Sequence, residues 1–382
     1  MRLASCNFIR RFAISCVTHY SPIETMNIDF HYGVIYVVSR LAGMNREQAR
    51  CVAHACQYVD DATTGGILRF KDGETFERFA SAHKVYDYKN ILDHEDRKVW
   101  VPFHFLPGAE GSTLEEKSVC RPDSKVAREM IRHAIAARAA SNALHRLGVS
   151  LHVYVDTWAH KGFSGIESAY NKVLTLSVDQ QDPATWWGKL KELLHEAAYG
   201  LEILALDEIY LLGHGAALHY PDLPWAKWAY TNGHSEVIVR DNLPDYIQAA
   251  DMACKVVQGY LHGNQHYEDE SGLPESSKAA LHNLLAHNQN HDCSIRLKVF
   301  MSSVASGHVP GIAEKIPAYK AKGVDSWKHA ATGIDADDDG PIRPFWSPAF
   351  EESDYRRFHD AIKEHRFVVT QEILPAYGIR LV

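Results

Sequence analysis

From Asn27 onward, apolar residues recur at three- and four-residue spacings with Gly or Asn at the breaks, a pattern that predicts one helix after another. Residues 28–42 place His31, Ile35, Val38 and Ala42 on one stripe with Val34 and Leu41 beside it, and Gly43 follows as a C-cap. Asn45 caps the next helix, in which Ala49, Ala53, Cys56 and Asp60 share a face. Residues 62–66 break the pattern. From there to Gly108 the chain reads as irregular, with short strand-like pieces such as residues 98–105. Asp123 or Ser124 caps a long Ala-rich helix expected to end near Gly148, immediately before a helix that carries His152. Further helices are expected over residues 189–212, 244–262, 275–287, 291–303 and 353–374, while residues 305–347 read as a long surface excursion. No repeat of fixed period is visible.

At 382 residues the chain is long enough for two or three domains. It has no Pro/Ser-rich linker and no shift in composition, so a single α-helical domain is expected over 26–382, with a core at 28–300 and a C-terminal loop and helix at 305–382. Residues 1–25 carry Arg2, Arg10 and Arg11 and no acid before Glu24, and read as a disordered or mis-assigned extension ahead of Met26. Hydrophobic residues at 46% and charged residues at 23% are ordinary for a globular protein. The net charge of −8 provides no general basic field for duplex nucleic acid. No apolar run approaches the roughly 20 residues of a membrane span. Seven cysteines, none in a CxxC pair, argue against a disulfide framework and a Cys-type zinc site, and point to a reducing, cytoplasmic setting. No feature sets an oligomeric state. Asp335-Ala-Asp-Asp-Asp-Gly340 mimics the start of a calcium loop, but Trp346 stands where the closing Glu belongs, so it reads as a surface acid run.

Histidine is the outlier, with 23 copies. His152, Asp156 and His160 follow each other at intervals of four. Four helical residues turn about 400° and rise about 6 Å, so the three side chains form one stripe. The stripe is about 12 Å long, long for one ion, and two ions sharing Asp156 is the more comfortable arrangement. The alternative is an exposed polar stripe, or histidines hydrogen-bonded beside a core. His31 projects from an apolar face, where a satisfied core histidine is the common alternative. Asp60 ends an apolar stripe, where an unpaired carboxylate is costly and wants a cation. Asp61, about 100° around the helix, is either a surface acid, an orienting partner or a ligand to a second ion. His104 lies between Phe103 and Phe105, and His214 follows a predicted helix end; His83 is a weaker candidate, and His219 and Asp222 suit a site rim. Trp225 and Trp228 fit either an apolar pocket or a core. No nucleotide-binding Gly-rich motif and no partner set for a Ser or Cys nucleophile is present. Clustered ions of this kind activate water and clamp a phosphoryl or carbonyl group, so hydrolysis is the leading chemistry.

The segment Leu147-Gly-Val-Ser-Leu-His-Val-Tyr-Val-Asp-Thr-Trp-Ala-His160 resembles the core helix of bacterial zinc-dependent phospholipases C and the related zinc single-strand nucleases. The resemblance implies an all-α fold with three zinc ions, and His31, Asp60, His152, Asp156 and His160 as ligands. It spans residues 28–220 in order of elements, with specificity in the central helix. Two features depart from it: a chain starting at Met26 does not supply a free mature N-terminus in the same way, and the later His-x-x-x-Glu helix has only partial stand-ins in His195-Glu196 and Gly213-His214. The Asp-Phe-His-Tyr-Gly opening also resembles an uncharacterised bacterial family. The resulting expectation is an all-α, multi-helix bundle with a polar metal-binding core and long loop excursions. It would use two or three zinc ions, or manganese or iron, to hydrolyse a small-molecule or lipid phosphoester. Asp60 and Asp156 would be catalytic, and His31, Asp60, Asp61, His104, His152, Asp156, His160 and His214 metal ligands. The competing readings are a His/Asp phosphohydrolase built on His291-Asp292, and a non-catalytic helical protein with a hydrogen-bonded His/Asp core.

Overall fold

The computed structural model describes residues 27–82, 96–178, 213–336 and 342–380. The chain enters through a π-helical turn, Asp29–Val34, that runs directly into helix α1, Ile35–Leu41. Helix α2, Arg46–Asp61, starts on a capping box: the Asn45 side chain accepts from the Gln48 amide, and Gln48 accepts from the Asn45 amide. After a small hairpin come α3, Lys125–Ala136, capped by Ser124, and α4, Ala143–Ala159. Helices α5 (Asn242–His262), α6 (Glu275–His287), α7 (Cys293–Ala305), α8 (Trp327–Thr332) and α9 (Asp354–Phe367) follow.

Helix α4 is the axis of the molecule. Every residue from Leu147 to Ala159 is buried, because α2, α3, α5 and α9 enclose it together. A helix buried all round cannot be amphipathic, and polar residues on it must be satisfied inside the protein. Gly148 sits within α4 rather than at the end of its predecessor, because α2 crosses there. A Cβ at Gly148 would lie 2.5 Å from the Val52 carbonyl and 2.6 Å from the Ala55 Cβ. Gly148→Ala should therefore push α2 off α4 and cost about 1–3 kcal/mol of stability, the usual scale of overpacking. Equilibrium urea unfolding reads this directly, and an unchanged midpoint would contradict the close crossing.

The all-α expectation fails. Among the described residues, five short strands form two antiparallel sheets: β1 (Gly66–Arg69) pairs with β2 (Thr75–Arg78), and β3 (Thr175–Val178), β4 (Lys227–Thr231) and β5 (Val237–Asp241) pair in that order. The fold is helix-rich but mixed α/β. Strands of four or five residues carry too few positions for alternation to stand out from a loop, even in β3, which reads Thr-Leu-Ser-Val, or β4, which turns Trp228 and Tyr230 inward. Residues 98–105, read as strand-like, are instead helical, as a π-helical turn Asp96–Trp100 followed by Val101–Phe103 with Pro102 in its first turn. The supposed excursion at 305–347 packs Val309, Ile312, Ile316 and Trp327 into the interior. Among the described residues, no helix is long and apolar enough to cross a membrane. Residues 1–25 and the expected helix at 189–212 lie outside the described residues.

Candidate metal centre

Helical spacing brings His152 and Asp156 of α4 together, with His152 Nε2 3.2 Å from Asp156 Oδ2. The last turn of α2 delivers Asp60, whose Oδ1 is 3.6 Å from His152 Nε2. The short Val101–Phe103 helix ends at His104, whose Nδ1 lies 3.4 Å from His152 Nε2, 3.7 Å from Asp156 Oδ2 and 3.8 Å from Asp60 Oδ1. His104 Nε2 donates to the Ser81 carbonyl at 2.9 Å. A carbonyl only accepts, so that nitrogen carries the proton and Nδ1 turns a lone pair into the cluster. These separations, 3.2–3.8 Å, match the edges of a tetrahedron around an ion with bonds of about 2.0–2.1 Å, which are about 3.3–3.4 Å long. His31, carried by the π-helical turn, flanks the group: its Nε2 is 3.2 Å from Asp156 Oδ1 and its Nδ1 is 3.7 Å from Cys56 Sγ.

His160 does not join that tetrahedron. It caps the C-terminus of α4, and its Nδ1 donates to the His104 carbonyl at 2.7 Å, which turns Nε2 away from Asp156. There Nε2 meets Asp222 Oδ1 at 3.6 Å, and His214 Nε2 meets Asp222 Oδ2 at 3.5 Å. His214 Nδ1 in turn donates to the Leu218 carbonyl at 3.0 Å, fixing its Nε2 as a lone pair when the ring is neutral. Gly213 has a φ of +57°, and a Cβ there would land 2.2 Å from the Phe105 ring, so only glycine can introduce His214 at this point. Phe105 stacks on His160 at 4.6 Å between centroids and seals the pocket. The chain therefore brings together one three-donor group, Asp60/His104/His152, with Asp156 beside it, and a second, His160/His214/Asp222, joined through His104 and His160.

Among the described residues, every ion-pair partner of Asp60, Asp156 and Asp222 is a histidine. Asp222 Oδ2 and His152 Nδ1 are buried with no hydrogen-bond partner, an unusual cost unless a further group completes the site. Burial, with Asp156 beside it, holds the Asp60 carboxyl well above the usual range. Burial also pushes Asp156 up, but the imidazoles of His152, His160 and His31 outweigh it and hold the carboxylate ionised. Burial lowers His152 to about 3 and His214 to about 4. His160 goes the other way, to about 9: burial opposes its charge, but Asp156 and Asp222 prevail. Protons on Asp60 and His160 thus offset the carboxylates where a cation would otherwise do so.

The remaining candidates fall elsewhere. Asp61 accepts from Tyr319 Oη at 2.6 Å and from Gln57 at 3.3 Å, and is in none of the ligand groups found among the described residues. Trp225 lies against Arg296 and Trp228 belongs to an aromatic core with Phe163 and Tyr230, so both are packing residues. Asp292 of the His291-Asp292 pair caps α7, accepting from the Ser294 and Ile295 amides. His83 and His195-Glu196 lie outside the described residues. Sequence reasoning left Asp222 on the rim although it is the carboxylate of the second pocket, and it missed Cys56; a buried Asp after a His-rich loop was the available signal for the first.

No curated protein and no solved structure matches the chain. The model of DUF6765, a family of unknown function, matches residues 26–373, and the chain belongs to that family.

Proposed function

We propose that this protein is a metal-dependent hydrolase, with zinc as its first-choice ion and a phosphoester as its substrate. The observation that carries the reading is the pair of pockets whose lone pairs are aimed by backbone carbonyls. His104, His160 and His214 each give one ring N–H to a main-chain oxygen and present the other nitrogen to a carboxylate. That is how metal-binding histidines are oriented by their outer partners. The donors are imidazole and carboxylate, a set that suits zinc and also accommodates manganese or iron. Three protein donors at His160/His214/Asp222 leave room for water or substrate, as catalytic sites do. Ions held there would acidify water and polarise a phosphoryl oxygen. Asp156 offers Oδ1 toward His31 and Oδ2 toward His152, and so spans two groups of donors.

The test is elemental analysis of the full chain, followed by turnover of chromogenic phosphomonoesters and phosphodiesters. Two or more equivalents of zinc, activity lost on chelation and restored by zinc, manganese or iron, are expected. A folded, metal-free protein that ignores all three ions would sink the reading.

A further inference from the structure

A second cluster lies apart from both pockets. His145 stands seven residues before His152 on α4, about 10.5 Å along the helix axis. Its Nε2 is 3.6 Å from Cys51 Sγ of α2 and 3.0 Å from Asp354 Oδ1 at the start of α9. Cys51 and His145 are buried, and Asp354 is partly exposed. Both partners converge on the same ring nitrogen. In a Cys-His-Asp nucleophilic triad the imidazole bridges thiol and carboxylate through two different nitrogens, and here Nδ1 has only a 4.0 Å approach to Cys51. That arrangement forms no relay from thiol to carboxylate, whereas one cation can serve all three donors.

The separations fit that alternative. Bonds of about 2.3 Å to sulfur and about 2.0–2.1 Å to nitrogen or oxygen give tetrahedral edges of about 3.5 Å for S–N and about 3.3 Å for N–O. Another buried imidazole packs beside the cluster. His54, one turn along α2 from Cys51, is buried and its Nε2 has no hydrogen-bond partner. The His54 ring stacks on Trp327 at 3.9 Å between centroids, and the His145 ring lies 5.3 Å from the same indole.

We propose that Cys51, His145 and Asp354 bind a structural zinc ion, and that this ion clamps the start of α9 onto α2 and α4. A thiolate, imidazole and carboxylate set favours zinc over harder divalent ions. Cys51 and His145 are buried, so the ion would hold three helices together rather than meet a substrate.

Cobalt substitution of the full chain tests this without any activity assay. The cobalt-loaded protein should show a near-ultraviolet thiolate-to-cobalt charge-transfer band. The band should vanish in Cys51→Ser, with one fewer zinc equivalent by elemental analysis, and persist in Cys56→Ser and Asp156→Ala. Where Cys51→Ser does not fold, a shift or loss of the band in Asp354→Asn assigns it to the cluster, because Asp354 groups with Cys51 and with no other cysteine among the described residues. Asp354→Asn, at a side chain 36% exposed, should then lose one zinc equivalent to a chelator that leaves the parent loaded. A parent protein with no thiolate band, or a band lost only in Cys56→Ser, overturns the proposal. Failure of the hydrolase reading would appear separately, as missing ions in the two core pockets with the thiolate band intact.

Discussion

Asp156→Ala is expected to strip the core of at least one metal equivalent and to lower phosphoester turnover by about 10³-fold or more, the scale for losing a member of a group that acts as a unit. The size follows from position. Asp156 has His31 on one oxygen, and His152, His104 and His160 within 3.2–3.7 Å of the other. Among the described residues, no neighbour contacts all four of these histidines: Asp60 reaches only His104 and His152, and Asp222 only His160 and His214. The same variant should lose thermal stabilisation by zinc. An ion bound only by the native state at 1,000 times its dissociation constant adds about 4.1 kcal/mol, so the parent should melt later in zinc and the variant should respond far less. Elemental analysis and melting with and without zinc are sufficient. An Asp156→Ala protein that keeps its full metal content would refute the central place given to this carboxylate.

Arg296→Ala should produce the largest loss of stability, about 3–5 kcal/mol, by leaving a buried carboxylate unpaired. Arg296 of α7 reaches across to the π-helical entry turn and grips Asp29 with two parallel bonds of 3.0 and 2.9 Å. Both residues are almost wholly buried. The same guanidinium donates to the Asn290 and His291 carbonyls and lies over the Trp225 ring, so it also pins the loop before α7. Removing both charges should be far milder than removing one. Asp29→Leu combined with Arg296→Leu should recover most of the loss, because the attraction of a buried pair is largely offset by its desolvation. Urea unfolding of the single and double variants decides this, and a loss below about 1 kcal/mol for Arg296→Ala would contradict it.

The helices were legible because their signals are local. The Asn45 cap followed by an apolar stripe gives α2, and Glu275–His287 matches its periodicity end to end. The strands were not, because β1 and β2 are held by pairing with each other across Gly73, and β3 by pairing with β4 fifty residues later. Such partners leave no mark within a short window. The candidate site divides the same way. His31, Asp60, His104, His152 and Asp156 all converge, since each reports its own inward face. The partition into two pockets did not show, because it depends on the rotation of His160 toward Asp222, which is set by the His104 carbonyl. Asp61 illustrates the opposite error: a carboxylate beside a ligand looks like a ligand until Tyr319, 258 positions away, is seen to occupy it.

Helix α4 carries His145, His152 and Asp156 and ends at His160, so one rigid segment sets the spacing of both core pockets and of the outer cluster. Adding or deleting a single residue anywhere between His145 and His160 would rotate everything beyond it by about 100° and shift it about 1.5 Å along the axis. Point changes act on one ligand at a time, whereas a change of length moves every ligand beyond it at once. Natural relatives should therefore vary freely in the length of their loops while keeping the count of residues in this helix fixed.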